Sequence, residues 1–147
     1  MKTQKLNRLA RTILLGIFAF MLIIPFTACA KKILFVNSSV VPAASGYAQI
    51  KKDKNKNYTV KILVTDLAEI ERLQSSKLTY VVWMETDQGK MENLGQLKSS
   101  TSFFSKRHKA SLETVSSFNP IKIFITSEYD INIRYPGNQV VLTTDKF

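Results

Sequence analysis

Few residues in this chain are equipped for chemistry. Cys29 is the only cysteine and His108 the only histidine among 147 residues. One cysteine excludes an internal disulfide, and the two side chains together are too few for a structural zinc site of four such ligands. His108 lies in Ser105-Lys106-Arg107-His108-Lys109. A nucleophilic serine needs a histidine that is itself oriented by a carboxylate. Here the flanking residues are cations, and no serine stands in a Gly-x-Ser-x-Gly context. His108 therefore reads as a solvated loop residue. Glu85, Asp87 and Glu92 flank one expected hairpin, and two carboxylates at the right separation serve as acid and base in glycosidases. Clefts of that kind are lined with aromatic platforms, and only Trp83, a core candidate, is near. Acidic residues at a hairpin tip serve solubility. A calcium site on Asp87 or Asp130 would need roughly six to eight oxygens, and no Asp-x-Asp-x-Asp spacing supplies them. No catalytic residue, metal or cofactor is expected.

Cys29 has a more specific context. Lys2, Lys5, Arg8 and Arg11 form a basic start, Ile13 to Ile24 is an apolar run, and Pro25 precedes Phe26-Thr27-Ala28-Cys29. This is the order of an export signal: basic segment, short apolar helix, small residues at the cleavage point. Three outcomes compete. The first is a lipoprotein signal, in which cleavage after Ala28 frees Cys29 to carry a diacylglycerol thioether. Phe26 stands there three residues before the cysteine, where leucine is usual. The second is cleavage after Ala30, since Ala28-Cys29-Ala30 fits A-x-A. The third is an uncleaved anchor, because Thr12 to Ala30 is free of charge and close to the roughly 20 residues that span a bilayer. Pro25 and Thr27 oppose that last outcome. The first is preferred, because the chain's one thiol falls at the cleavage position and an exposed free thiol is a liability in an oxidising compartment. All three place residues 31–147 outside the cytoplasm, in the cell envelope facing the periplasm or the exterior.

The signal also corrects the charge. The whole chain carries 21 basic and 11 acidic residues, a net of +10. Four of the basic residues lie in segment 1–28, which has no acid, so the mature chain from Cys29 carries 17 basic and 11 acidic residues, a net of +6. That is no argument for nucleic acid. Two basic runs remain, Lys51-Lys52-Asp53-Lys54-Asn55-Lys56 and Lys106-Arg107-His108-Lys109, with Lys31-Lys32 beside the cysteine. They suit anionic headgroups or polyanionic glycans. The simpler role, which the balance favours, is that lysines blunt a hairpin tip and keep edges from pairing.

The elements that hold these residues read as strands. Gly46 to Lys52 and Tyr58 to Val64 alternate apolar and polar around the turn cluster 53–57, which predicts a hairpin. Leu67 to Leu73 is the one helical candidate, with Asp66 as its cap. Leu78 to Glu85 is rich in β-branched and aromatic residues. Gly89 suits the tight turn into a return strand, Met91 to Lys98, where Gly95 suggests a bulge. Ser99 to Arg107 reads as a loop. His108 to Val115, Ile121 to Ser127 and Val140 to Leu142 complete the set, with a turn at Tyr135-Pro136-Gly137-Asn138. The pattern predicts an all-β, immunoglobulin-like sandwich of seven or eight antiparallel strands behind an N-terminal signal helix. Its core candidates are Trp83, Tyr80, Phe118 and Phe124. The divisions are signal 1–28, tether 29–45 and sandwich 46–147; Ile33 to Val36 could instead be a first strand, while Val40-Val41, next to Pro42, is at best an edge.

Tyr80-Val81-Val82-Trp83-Met84, the turn glycine Gly89 and Leu94-Gly95-Gln96-Leu97 keep an order also found in the extracytoplasmic C-terminal domain of anti-sigma-K factors. Thr126-Ser127-Glu128, Tyr135-Pro136-Gly137-Asn138 and Gln139-Val140-Val141-Leu142 continue it, so that residues 58–145 resemble that domain. The resemblance implies a non-enzymatic outer domain. In that family a helical cytoplasmic domain holds the sigma factor; here eleven residues precede the uncharged stretch, so no sigma-factor binding is expected. The expected function is that of a lipid-anchored envelope protein acting through contacts with a protein or with the envelope. The alternative is a solute- or carbohydrate-binding module, which would present coplanar tyrosine or tryptophan rings on an open sheet face.

Overall fold

The computed structural model describes residues 10–17, 30–70, 79–100 and 109–147. Residues 10–17 are helical and exposed, and among the described residues no helix is long and apolar enough to cross a membrane. The remainder forms nine strands: β1 Lys31–Val36, β2 Ser45–Lys52, β3 Tyr58–Thr65, β4 Thr79–Thr86, β5 Met91–Gln96, β6 Lys98–Ser100, β7 Lys109–Ser116, β8 Pro120–Glu128 and β9 Val140–Thr144. Every pairing is antiparallel, and the order is β5-β4-β8-β9-β1-β2-β3-β7-β6.

The all-β sandwich expectation holds, with nine strands in place of seven or eight. The sheet bends into two layers that share β1. Lys31 to Leu34 pair with β2 in the front layer, and Phe35 and Val36 pair with Thr144 and Thr143 of β9 in the back layer. At the other side, β5 and β6 are separated in sequence by the buried Leu97 alone, so the sheet nearly closes on itself.

Local sequence explains most elements. In β2 and β3 the inward phase is Ala48, Ile50, Val60, Ile62 and Val64, all buried, and the outward phase is largely polar. The turn between them is tied by the Asp53 carboxylate, which accepts from the Asn57 backbone N–H at 2.8 Å, with Lys56 at φ 66°. β4 is apolar on both faces because both are covered. Tyr80, Val82 and Met84 pack into the core with Ile123, Ile125 and Leu142. Val81 and Trp83 point the other way, with Phe124, under Ile133 of the loop 129–139. Burying each such side chain stabilises the fold by roughly 1.5–3 kcal/mol, and packing alone must supply this in a chain with one cysteine. Gly89 takes φ 73° in the β4–β5 turn, as that turn requires. Opposite Val82 and Trp83, β5 shifts register around Gly95, which sits at φ 115°, so the expected bulge is present.

Several expectations need correction. Residues 31–36 are strand, the alternative offered for Ile33 to Val36, and not tether: Ile33 and Phe35 turn inward while Lys31 and Lys32 lie over the rings of Phe147 and Tyr47. Val41 and Ala44 are buried in the core as well, so the domain begins near Lys31 and not at Gly46. Val40-Val41 is not a strand. Leu67 to Glu69 is irregular, with one residue of 3-10 geometry at Ile70, and the rest of that helical candidate lies outside the described residues. Asp66 is at φ 55°, a left-handed conformation that an N-cap, which needs extended backbone, does not adopt. Lys98 to Ser100 pair with β7 as β6, inside the expected return strand and loop. Phe118 is 36% exposed on the β7–β8 connection. The Lys90 ammonium stands 5.9 Å from its ring centre.

Candidate functional site

The fold disperses the residues that could have formed a catalytic group. Glu85 pairs in register with Met91, and Glu92 with Met84. Successive residues of a strand face opposite ways, so the two carboxylates lie on opposite faces of the sheet. Glu85 is instead ion-paired with Lys146 at 2.6 Å. Asp87 accepts from the Asn119 side-chain amide at 3.1 Å. Asp130 lies past the end of β8, at the far end of the sandwich from Asp87, and accepts from the Asn132 backbone at 2.9 Å. Among the described residues no three His, Cys, Asp or Glu side chains gather as metal ligands would. Cys29, His108 with Ser105 to Arg107, and Phe103 and Phe104 lie outside the described residues.

The aromatic residues separate into buried and exposed sets. Trp83 is wholly buried and Tyr80 nearly so. The Tyr80 hydroxyl donates to the Ala68 carbonyl at 2.9 Å, and Trp83 stacks on Phe124 with ring centres 6.4 Å apart and planes 14° from parallel. Neither Trp83 nor Tyr80 is presented on an open face as a carbohydrate platform would be. Tyr129 and Tyr135 are exposed, at 57% and 75%.

Among the described residues, the outer side of the front layer forms an open surface with exposed apolar side chains. Cross-strand register sets Leu34 beside Tyr47, Tyr47 beside Leu63 and Leu63 beside Ser111. The next row is Lys32, Gln49, Lys61 and Glu113. Lys61 and Glu113 close an ion pair at 2.9 Å, and the Lys32 ammonium lies 4.0 Å from the Tyr47 ring centre. Leu34 is 68% exposed and Val115 64%. Two shallow recesses of about 230 and 330 Å³ meet at Tyr47 and Leu63. Sequence reasoning missed this row because Leu34, read as either tether or first strand, had no assigned partner strand. The available signal was phase: Leu63 shares the outward phase of β3 with Thr59 and Lys61, where a polar residue is the rule.

The first basic run and Lys109, the described residue of the second, lie at opposite ends of the front layer. Lys52 pairs with Tyr58 at the β2–β3 turn, whereas Lys109 pairs with Thr65 at the other end of β3. Lys31 pairs with Ile50, so Lys31 and Lys32 join the first run at one corner. Comparison with protein-family models, with curated proteins and with solved structures gives no match to this chain.

Proposed function

We propose that this chain is a non-enzymatic envelope protein, held at the membrane by a lipid on Cys29, that works through contact with another envelope protein. The observation that carries the proposal is the Leu34, Tyr47 and Leu63 row on the outer front face. An apolar centre with a charged border of Lys32, Lys61 and Glu113 has the anatomy of a protein-binding patch. The likeness to the outer domain of anti-sigma-K factors belongs to the same reading. What supports it is that Tyr80 to Met84, Gly89, Leu94 to Gln96, Thr126 to Glu128 and Val140 to Leu142 fall in strands or turns of the kind that the order requires. A second reading, a solute- or carbohydrate-binding module, has the exposed rings of Tyr129 and Tyr135 in its favour. The burial of Trp83 and Tyr80 weighs against it.

A photo-crosslinking residue placed at Leu34 or Leu63 in the native envelope tests the proposal. Discrete protein adducts from both positions, and none from the exposed turn residue Gln88, are expected. No adduct from the face, or the same adducts from Gln88, would sink it. Intact mass of the membrane-extracted protein tests the anchor separately through a diacylglycerol adduct on Cys29.

A further inference from the structure

We propose that the corner formed by the start of β1 and the tip of the β2–β3 hairpin docks on anionic phospholipid headgroups and holds the domain upright on the bilayer. The inference rests on the anchored reading above for the protein's place at a membrane. It adds which surface meets the lipid and what chemistry that surface selects.

The corner gathers Lys31, Lys32, Lys51, Lys52, Lys54 and Lys56, all exposed, around the side-chain carboxylate of Asp53. That carboxylate is occupied within the turn, accepting from the backbone N–H of Asn57 at 2.8 Å. Among the described residues, the far end of β2, β3 and β7 presents Ser45, Thr65, Asp66 and Lys109, one cation and one carboxylate. Tip lysines that only blunted a hairpin would need no help from elsewhere in the chain. Here the pairing of Lys31 with Ile50 adds two further lysines from a different strand. Three of the ammonium groups are also propped on rings: Lys32 at 4.0 Å from Tyr47, Lys31 at 5.0 Å from Phe147 and Lys52 at 5.2 Å from Tyr58. Such contacts hold a cation in place without neutralising it.

Chain geometry aims this corner at the bilayer. β1 begins two residues after Cys29, and an extended chain covers at most about 3.6 Å per residue. A thioether anchor at Cys29 therefore lies within about 7 Å of Lys31, too close for the sandwich to stand off the headgroups. The hairpin runs past Lys31, from Ile50 to its tip, in the direction in which β1 points toward its N-terminal end. The lysine corner and the anchor thus reach the surface together. Each lysine near an anionic leaflet raises partitioning about fivefold. The rows of the front face then rise away from the membrane, where a neighbouring protein can reach them.

The test uses the full chain, purified from bacterial membranes and reconstituted into phosphatidylcholine vesicles with or without phosphatidylglycerol. Lysines are labelled with an amine reagent and read by peptide mass spectrometry, with Lys98 and Lys109 as internal standards. Labelling of Lys52, Lys54 and Lys56 at least about fivefold slower on phosphatidylglycerol vesicles is expected, with protection lost in high salt and the standards unchanged. Replacing Lys51, Lys52, Lys54 and Lys56 together by glutamine should also remove the protection of Lys31 and Lys32. Equal labelling on both vesicle types, or protection that extends equally to Lys98 and Lys109, would overturn the proposal. Protection by a soluble anionic glycan with none on vesicles would reassign the corner to glycans and equally overturn it. A missing lipid on Cys29 in the intact mass would remove the anchored reading while leaving the labelling result to decide the corner by itself.

Discussion

The indole N–H of Trp83 donates to Oγ1 of Thr126 at 2.8 Å, and neither side chain reaches solvent. β4 and β8 are thereby joined by a side-chain bond on the side facing away from the main core. A buried donor that loses its acceptor incurs about 1–3 kcal/mol of desolvation. Thr126→Val keeps the shape and removes the acceptor, so it should lower stability by about that amount. Thr126→Ser keeps the acceptor and loses one methyl, which costs about 1 kcal/mol. Trp83 is the only tryptophan, so urea unfolding followed by its fluorescence reads both variants. Equal stability of the valine variant and the parent would show that the indole finds another acceptor.

The loop 129–139 acts as a strap over this tryptophan, and Asn93 fastens it. Its side-chain amide N–H groups donate to the carbonyls of Ile131 at 2.9 Å and Ile133 at 3.1 Å, while its oxygen accepts from the Gly95 N–H at 2.9 Å. Asn93→Asp separates the two roles. The carboxylate still accepts from Gly95, but it cannot donate to the strap and sets negative charge against two carbonyls. Two lost bonds amount to roughly 2 kcal/mol, spent mostly on the strap and little on the sheet. The expected result is faster amide exchange across 129–139 and stronger acrylamide quenching of Trp83, with β2 and β3 amides unchanged. Uniformly faster exchange throughout the domain would count against a local strap.

How far these features were legible follows from the range of the interactions that make them. The β2–β3 hairpin and the β4–β5 turn were readable because phase and a turn residue lie within a dozen positions. β1 was readable only as one of two alternatives, strand or tether, because what settles Phe35 and Val36 as strand is Thr144 and Thr143 at the opposite end of the chain. The same distance hid the lysine corner, since the sequence places Lys31 and Ile50 apart and only their pairing joins them. Trp83 was readable as core, but the cover that makes it so is a loop whose sequence announces only a turn. Asp66 read as a helix cap by composition, yet aspartate also tolerates left-handed backbone, and that is the conformation it takes. Leu34, Tyr47 and Leu63 became a row only through register across three strands.

Two glycines separate backbone strain from steric closeness. Gly89 lies at φ 73° with open space where a side chain would project. Gly89→Ala should therefore cost only the left-handed penalty, about 1–2 kcal/mol, and Gly89→Asn should recover much of it, since asparagine tolerates that region. Gly46 is different: a Cβ there would stand 2.2 Å from the Leu63 carbonyl oxygen and 2.9 Å from the Val64 Cα. Both are backbone atoms of the neighbouring strand, so no rotamer change relieves the clash. Gly46→Ala must push β2 from β3 and should cost about 3 kcal/mol or more, the upper range for overpacking, with asparagine worse than alanine. Thermal and urea unfolding of the four variants give the comparison. A Gly46→Ala loss no larger than that of Gly89→Ala would mean that the two strands have room to part, and that the β2–β3 approach is looser than the register from Ser45 to Lys52 implies.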